Sequence, residues 1–379
     1  MVAQARPLIE VFAEIPDFRS QQGKRYELKA ILALACGATL CGYRSYGAIS
    51  QWGRNYGQEL VQVLGFKTGK TPCAATFNTI FRQLDWEQFE TKLNQWVEGV
   101  LSIIAPTVGG EAISLDGKTL RGSRKQGADS AHLLSALSAR LELTLRQQSV
   151  EAKTNQIGRV SDLLQRLVME GRIFTMDALL TQEKVAEQIV QGGGDYVMIV
   201  KGNQPGLRAM LAALFETASG SLLERPLAQT LDQGHGRIEQ GKIECSTSLT
   251  GYGYWPGLEE VFGLERIVTI KQTDQRRSEV VYGMTSLTQK RADASGLLSL
   301  VRGHWAIENG SHWVRDVTFD EDRSQVRVGK IPQVMASFRN LVMGLLRQAG
   351  ETNIAAACRR MAAQPWNALA LIGITQKTE

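Results

Sequence analysis

Three acidic residues in unlike settings constrain this chain most. Asp116 closes the run Ala112-Ile113-Ser114-Leu115, and Asp177 closes Ile173-Phe174-Thr175-Met176. Both runs read as buried strands. Glu308 lies in Arg302-Gly303-His304-Trp305-Ala306-Ile307-Glu308-Asn309, where the spacing predicts a helix. A carboxylate at the end of a buried strand is costly unless a cation or partner compensates it. Two strand-end aspartates and a helical glutamate can converge on hard cations, which prefer oxygen ligands. Two such ions, about 4 Å apart, suit in-line displacement at a phosphodiester. Taken singly, a strand-end aspartate is more often a turn or cap residue. It is the ordered set that sharpens the reading.

A length of 379 residues predicts two or three units. Against 38 Asp and Glu stand 43 Lys and Arg, a formal charge of +5 that permits a nucleic-acid partner without requiring one. Cys36, Cys41, Cys73, Cys245 and Cys358 form no C-x-x-C pair, so neither a disulfide framework nor a zinc site is indicated. The run Ile31–Gly42 falls well short of the roughly 20 residues that span a bilayer, and the N-terminus has no apolar signal core. The expectation is a cytoplasmic protein with no membrane partner.

Residues 1–110 read as an all-helical N-terminal domain, with helical spacing at Leu28–Leu40, Tyr46–Tyr56, Ala74–Leu84 and Trp86–Ile104. The turn at Thr71-Pro72-Cys73, followed by Phe77, Ile80, Phe81 and Leu84, fits a recognition-type helix and a plain packing helix equally well. Beyond Pro106 the period changes to two. The order strand, strand, strand, helix, strand, helix, strand then predicts an α/β, ribonuclease-H-like core over 111–204. A glycine-rich, strand-like stretch over 205–290 reads as a β-rich insertion. Residues 291–350 return to helical spacing, which would supply the last part of the core and its catalytic helix, and 351–379 read as a tail.

Ala112 to Thr119 nearly matches a phosphate-cradling loop, but Ala112 replaces the first glycine and Asp116 would sit beside the phosphates, which excludes an NTPase. Lys118, Arg121, Arg124 and Lys125 follow Asp116 and suit contacts to a DNA backbone, with a solvated loop as the default. His304, Glu308 and His312 stand at i, i+4 and i+8, a spacing open to zinc or iron as well as magnesium. Arg237 suits either a DNA contact or a hairpin salt bridge. Tyr252, Tyr254 and Trp255 suit packing more than base stacking, and Trp305 and Trp313 read as core.

With these residues in place, the chain resembles the DDE transposases of bacterial insertion sequences, in the branch once called H-repeat-associated proteins. The resemblance spans nearly the whole chain. It rests on Ile15-Pro16-Asp17-Phe18-Arg19 and Leu40-Cys41-Gly42-Tyr43-Arg44-Ser45-Tyr46 near the N-terminus, and on Leu115-Asp116-Gly117-Lys118-Thr119-Leu120-Arg121-Gly122-Ser123. It continues through Thr175-Met176-Asp177-Ala178, Lys201-Gly202-Asn203-Gln204-Pro205 and His235-Gly236-Arg237-Ile238-Glu239 to His304–Asn309, His312-Trp313 and Asp316–Asp322.

The resemblance implies an enzyme that uses magnesium, or manganese in its place, recognises the terminal inverted repeats of its own element, cleaves there and joins 3′-ends to target DNA. Asp116, Asp177 and Glu308 would be catalytic metal ligands, with His304, Asn309 and Arg315 orienting phosphates. Lys118, Arg121, Arg124, Lys125, Lys201, Asn203 and Arg237 would contact double-stranded DNA. A homodimer is expected, because two element ends must be handled together. Gly310-Ser311 and Gln240 depart from the family's usual pattern. Two alternatives stay open: an inactive DNA-binding regulator or relic working through residues 1–110, and a stand-alone metal-dependent nuclease.

Overall fold

The computed structural model describes residues 6–22, 24–66, 69–104, 110–123, 130–138, 143–150, 156–216, 225–234, 236–252 and 255–375; the side chains of 57–58, 101–104, 143, 156–157 and 306–309 lie outside that description. Helices come first: α1 (Leu8–Ala13), α2 (Leu28–Leu40), α3 (Tyr46–Asn55), α4 (Gly57–Val63), α5 (Ala74–Gln83) and α6 (Trp86–Ile104). The strands β1 (Ala112–Thr119), β2 (His132–Ser138) and β3 (Leu143–Val150) precede α7 (Gln156–Leu164), β4 (Ile173–Met176), α8 (Glu183–Gln191), β5 (Asp195–Val200) and α9 (Pro205–Glu216). Then come β6 (Leu227–Gly234), β7 (Arg237–Ser246), β8 (Glu260–Ile270) and β9 (Arg276–Thr285). The chain closes with α10 (Ala294–Ile307), α11 (Ile331–Gln348), α12 (Ile354–Ala363) and α13 (Pro365–Leu371).

The chain divides into two units. The first comprises Met1–Thr107, Gly117–Lys153 and Glu308–Glu379. Its centre is α2, which is buried all round from Ala30 to Leu40, as an α-helix without a polar face must be. On α11, Phe338 stacks on Phe81 of α5 and meets Phe89 of α6. Beside it, Ser337 Oγ and Gln147 Nε2 both hydrogen-bond to the fully buried carboxyl of Glu90. Burial pushes that carboxyl up to about 7. Residues 351–379, expected as a tail, instead contain α12 and α13. Asn353 caps α12 by accepting from Ala356 N, and Ala357, Cys358, Leu369 and Ile372 are buried in the core of this unit.

The second unit comprises Val108–Asp116 and Thr154–Ile307. Its strands run in the order β1-β4-β5-β9-β8-β7-β6. The pairs β1–β4 and β4–β5 are parallel, and β5–β9 and those beyond are antiparallel. Every residue of β4 and β5 is buried, which accounts for their largely apolar composition. The strands of 205–290 therefore extend the same sheet through β9, and the stretch opens with a helix, α9. Among the described residues no helix is long and apolar enough to cross a membrane.

Within this sheet Gly283 stands opposite Phe262. A Cβ at 283 would lie 2.1 Å from Phe262 Cζ and 2.8 Å from Met198 O, so the ring fills the space of the missing side chain. Gly283→Ala should cost about 1–3 kcal/mol through overpacking, read as a lower urea midpoint. Part of that loss should return when Phe262→Leu is added.

Candidate active site

The parallel register of β1 and β4 matches Ser114 with Thr175 and Leu115 with Met176. Asp116 and Asp177 are the next residue on each chain. Adjacent strands lie about 4.8 Å apart, so the pairing brings the two carboxylate-bearing positions side by side. Side chains alternate along a strand, and Asp177 keeps extended backbone (φ −77°, ψ 167°). Asp116 therefore shares a face with Ser114, and Asp177 with Thr175. On that face Ser114 Oγ and Thr175 Oγ1 are hydrogen-bonded at 2.8 Å, and Thr175 Oγ1 lies 3.0 Å from His304 Nδ1 on α10. The hydroxyls were not among the expected site residues. Their signal was present in the sequence, since each stands two residues before its aspartate.

Lys201 Nζ lies 3.1 Å from Asp177 Oδ1, with both side chains about half exposed. This is the compensating cation that a strand-end carboxylate requires. The loop after β5 also braces the loop after Asp177: Asn203 Nδ2 donates to Ala178 O, Gln204 Nε2 to Thr181 O, and Thr181 Oγ1 to Ile199 O. Lys201 and Asn203, expected to touch DNA, here hold the second aspartate's loop in place.

His304 is buried, and desolvation lowers its pKa to about 4; the field of Asp177 raises it and that of Lys201 lowers it. At neutral pH the imidazole is uncharged. The α-helical ladder of α10 ends at Ile307, and two π-helical stretches follow at Glu308–His312 and Val314–Thr318. An i→i+5 ladder breaks the straight stripe expected for His304, Glu308 and His312. Glu308 begins the first widened turn, and Arg347 donates to Gly310 O within it. The side chains of Glu308 and Asn309 lie outside the described residues. Trp305 packs against the core of the second unit and lies beneath Arg266. Trp313, expected in the core, is 56% exposed, because the π-helical stretches turn it outward.

In the first unit the residues just past Asp116 are clamped. Lys118 is buried and its Nζ donates to Asp316 Oδ2 at 2.7 Å. A DNA contact by Lys118 would require that pair to open. Arg315, expected to orient phosphate, is also buried. It lies 2.7 Å from Glu321 Oε1, while Arg339 Nη1 donates to Glu321 Oε2 at 2.9 Å. A Cβ on Gly122 would lie 2.6 Å from Ser324 O and 2.7 Å from Glu321 O, and Gly122 O accepts from Arg327 Nε. Only glycine allows this approach. Arg121 remains largely exposed, 3.9 Å from Asp322. Arg237 is half exposed, 3.8 Å from Glu239 on its own strand. Arg124, Lys125, His235 and Tyr254 lie outside the described residues, and Trp255 is buried.

Two oxygen-only donors at adjacent strand ends fit a hard cation, which binds through one or two carboxylates and keeps several waters. Among the described residues no group of three His, Cys, Asp or Glu side chains is placed to hold a metal.

Two aspartates thus stand at neighbouring parallel strand ends beside α10. Sequence similarity gives the family. The model of the transposase DDE domain matches residues 108–331, and that of its associated N-terminal region matches 9–97. The chain belongs to the DDE transposase family. It is 28% identical over 347 residues to YncI of Escherichia coli O157:H7, which carries the name of a transposase, covering 90% of this chain and 87% of that one. YhhI of Escherichia coli K12, named as an H repeat-associated transposase, is 28% identical over 353 residues, 90% of this chain and 91% of that one. A protein of the dhlA 3′ region of Xanthobacter autotrophicus is 33% identical over 273 residues, 70% of this chain and 89% of that one.

Burial alone would raise the Glu321 carboxyl, but Arg315, Arg339 and Lys118 outweigh it and hold it at about 2. A depressed carboxylate adds stability above its unfolded value of 4.5 that is lost as pH falls through 2. Glu321→Gln should cost about 3–5 kcal/mol at neutral pH by leaving two guanidiniums without their carboxylate. Its urea midpoint should also fall less steeply than wild type below pH 4.5.

Proposed function

We propose that the chain is a transposase that binds the terminal inverted repeats of its insertion sequence, cuts DNA there in a metal-dependent reaction and joins the 3′-ends to target DNA. The observation that carries this reading is the β1–β4 register, which brings Asp116 and Asp177 together on the face covered by α10. A ribonuclease-H-like core is the fold we assign. Its support is the parallel set β1-β4-β5, with the antiparallel hairpin β2–β3 following β1 in sequence.

Asp116 and Asp177 act as the paired oxygen donors, and Glu308, one helical turn beyond His304, is the third. Magnesium, or manganese in its place, would activate the attacking water or 3′-hydroxyl and offset charge on the leaving oxygen. Lys201 neutralises Asp177 in the free protein. His304, neutral and bonded to Thr175, acts as a positioning residue that holds α10 against β4. Among the expected DNA contacts, Arg121 and Arg237 have exposed side chains that can reach a DNA backbone, with Arg124 and Lys125 beside Arg121 in sequence. Two copies of the chain act together on two element ends.

The test uses purified full-length protein and a plasmid carrying the coding region with its flanking DNA. Asp116→Ala should lower magnesium-dependent cleavage by several orders of magnitude and leave end binding intact. Cleavage at the wild-type rate would end the proposal. Supplying a pre-cut 3′-hydroxyl end and a target plasmid should give joined product; cleavage without joining would reduce the activity to that of a nuclease.

A further inference from the structure

The first unit contains a cavity of about 490 Å³ whose lining includes Arg44, Asn78, Arg323, Arg327 and the buried Tyr46 and Arg339. None of these residues adjoins Asp116 or Asp177 in sequence. Cations dominate the wall, since Asp320 is the single acid among the lining residues. Asp320 lies 4.0 Å from Arg44 and 3.8 Å from Arg323, so one carboxylate faces two exposed guanidiniums. The imbalance continues beneath the surface. Arg315 and Arg339 share the single carboxylate of Glu321, two positive charges against one negative.

Uncharged donors add to the cations. Ser45, Tyr46 and Gly47 line the cavity at the start of the ten-residue α3. Ser45 Oγ takes the amide of Ala48, while the earlier amides of the first turn have no intrahelical partner. A helix start of this kind favours an anion. The Tyr46 hydroxyl is buried and has no hydrogen-bond partner among the described residues. Asn78 brings the exposed face of α5 to the lining. At about 30 Å³ per water, the volume accommodates a phosphate with part of its hydration shell.

We infer that this cavity seats a backbone phosphate of the DNA on which the chain acts, held by Arg44, Arg323 and Arg327 at the start of α3. The inference rests on the transposase reading and adds to it a second DNA contact, remote in sequence from Asp116 and Asp177. Contacts of this kind fix register on a duplex and carry no base sequence.

The experiment measures the affinity of the full chain for a short mixed-sequence DNA duplex as salt is varied. Losing one phosphate contact should flatten the plot of log affinity against log salt by about 0.9. Because the cavity seats one phosphate, Arg44→Gln with Arg323→Gln should flatten it by about that amount. Arg44→Lys with Arg323→Lys should keep most of the slope. Arg359→Gln, at an exposed arginine on α12, should leave it unchanged. If the glutamine pair melts early, Arg44→Gln and Arg323→Gln singly, each expected to give half the effect, decide the matter. A wild-type slope in the folded glutamine variants overturns the cavity's role and leaves the aspartate chemistry standing. So does a loss of inorganic phosphate binding with no change in the DNA slope. A wild-type chain that binds no duplex at low salt overturns both readings.

Discussion

The parallel pairing of β1 with β4 is the constraint on which the site depends. A parallel ladder matches residues one for one, and here it matches Leu115 with Met176. The two following aspartates therefore meet without any long-range coincidence of loops. A slip of one residue would turn one of them to the opposite face, since side chains alternate along a strand. The register is held by more than backbone bonds. Ser114 and Thr175 bond across the pair, and His304 joins them from α10. A short polar ladder thus ties two strands and a helix together in an otherwise apolar layer.

The two units support neighbouring stretches of one motif by different means. In the second unit the loop after Asp177 is braced by donors from Asn203 and Gln204. In the first, the residues after Asp116 are clamped by charge: Lys118 on Asp316, and Arg315 and Arg339 on Glu321. Buried ion pairs are costly to assemble and more costly to break by halves. They contribute less to net stability than to holding Gly117–Ser123 in a single arrangement. Gly122, with two carbonyl oxygens within 2.7 Å of where a Cβ would lie, has the same consequence in steric form.

Much of this was legible in the sequence, for reasons that can be named. α2 and α6 follow the bounds their spacing predicts, and the two aspartates end the strands whose apolar runs announced them. What the sequence hid were interactions between distant residues and departures from regular periods. Nothing local marks Arg315 as a partner of Glu321, because Arg339 on α11 completes that cluster. The π-helical stretches after Ile307 have no periodic signature, so a helix read straight through to Trp313 put that ring inside instead of outside. The strands of 205–290 were visible as strands. Their union with β5 through β9 was not, since edge pairing leaves no mark on composition. α12 was missed because its alanines blur the contrast between faces on which helical spacing relies.

The neutral imidazole of His304 has an electrostatic corollary. A charged histidine in that position would have satisfied Thr175 equally well, but it would have cancelled part of the negative potential that the aspartates project. Kept unprotonated by its dry surroundings, the ring ties helix to sheet while adding no positive charge of its own beside Asp177, so the mechanical joint and the electric field can be tuned separately.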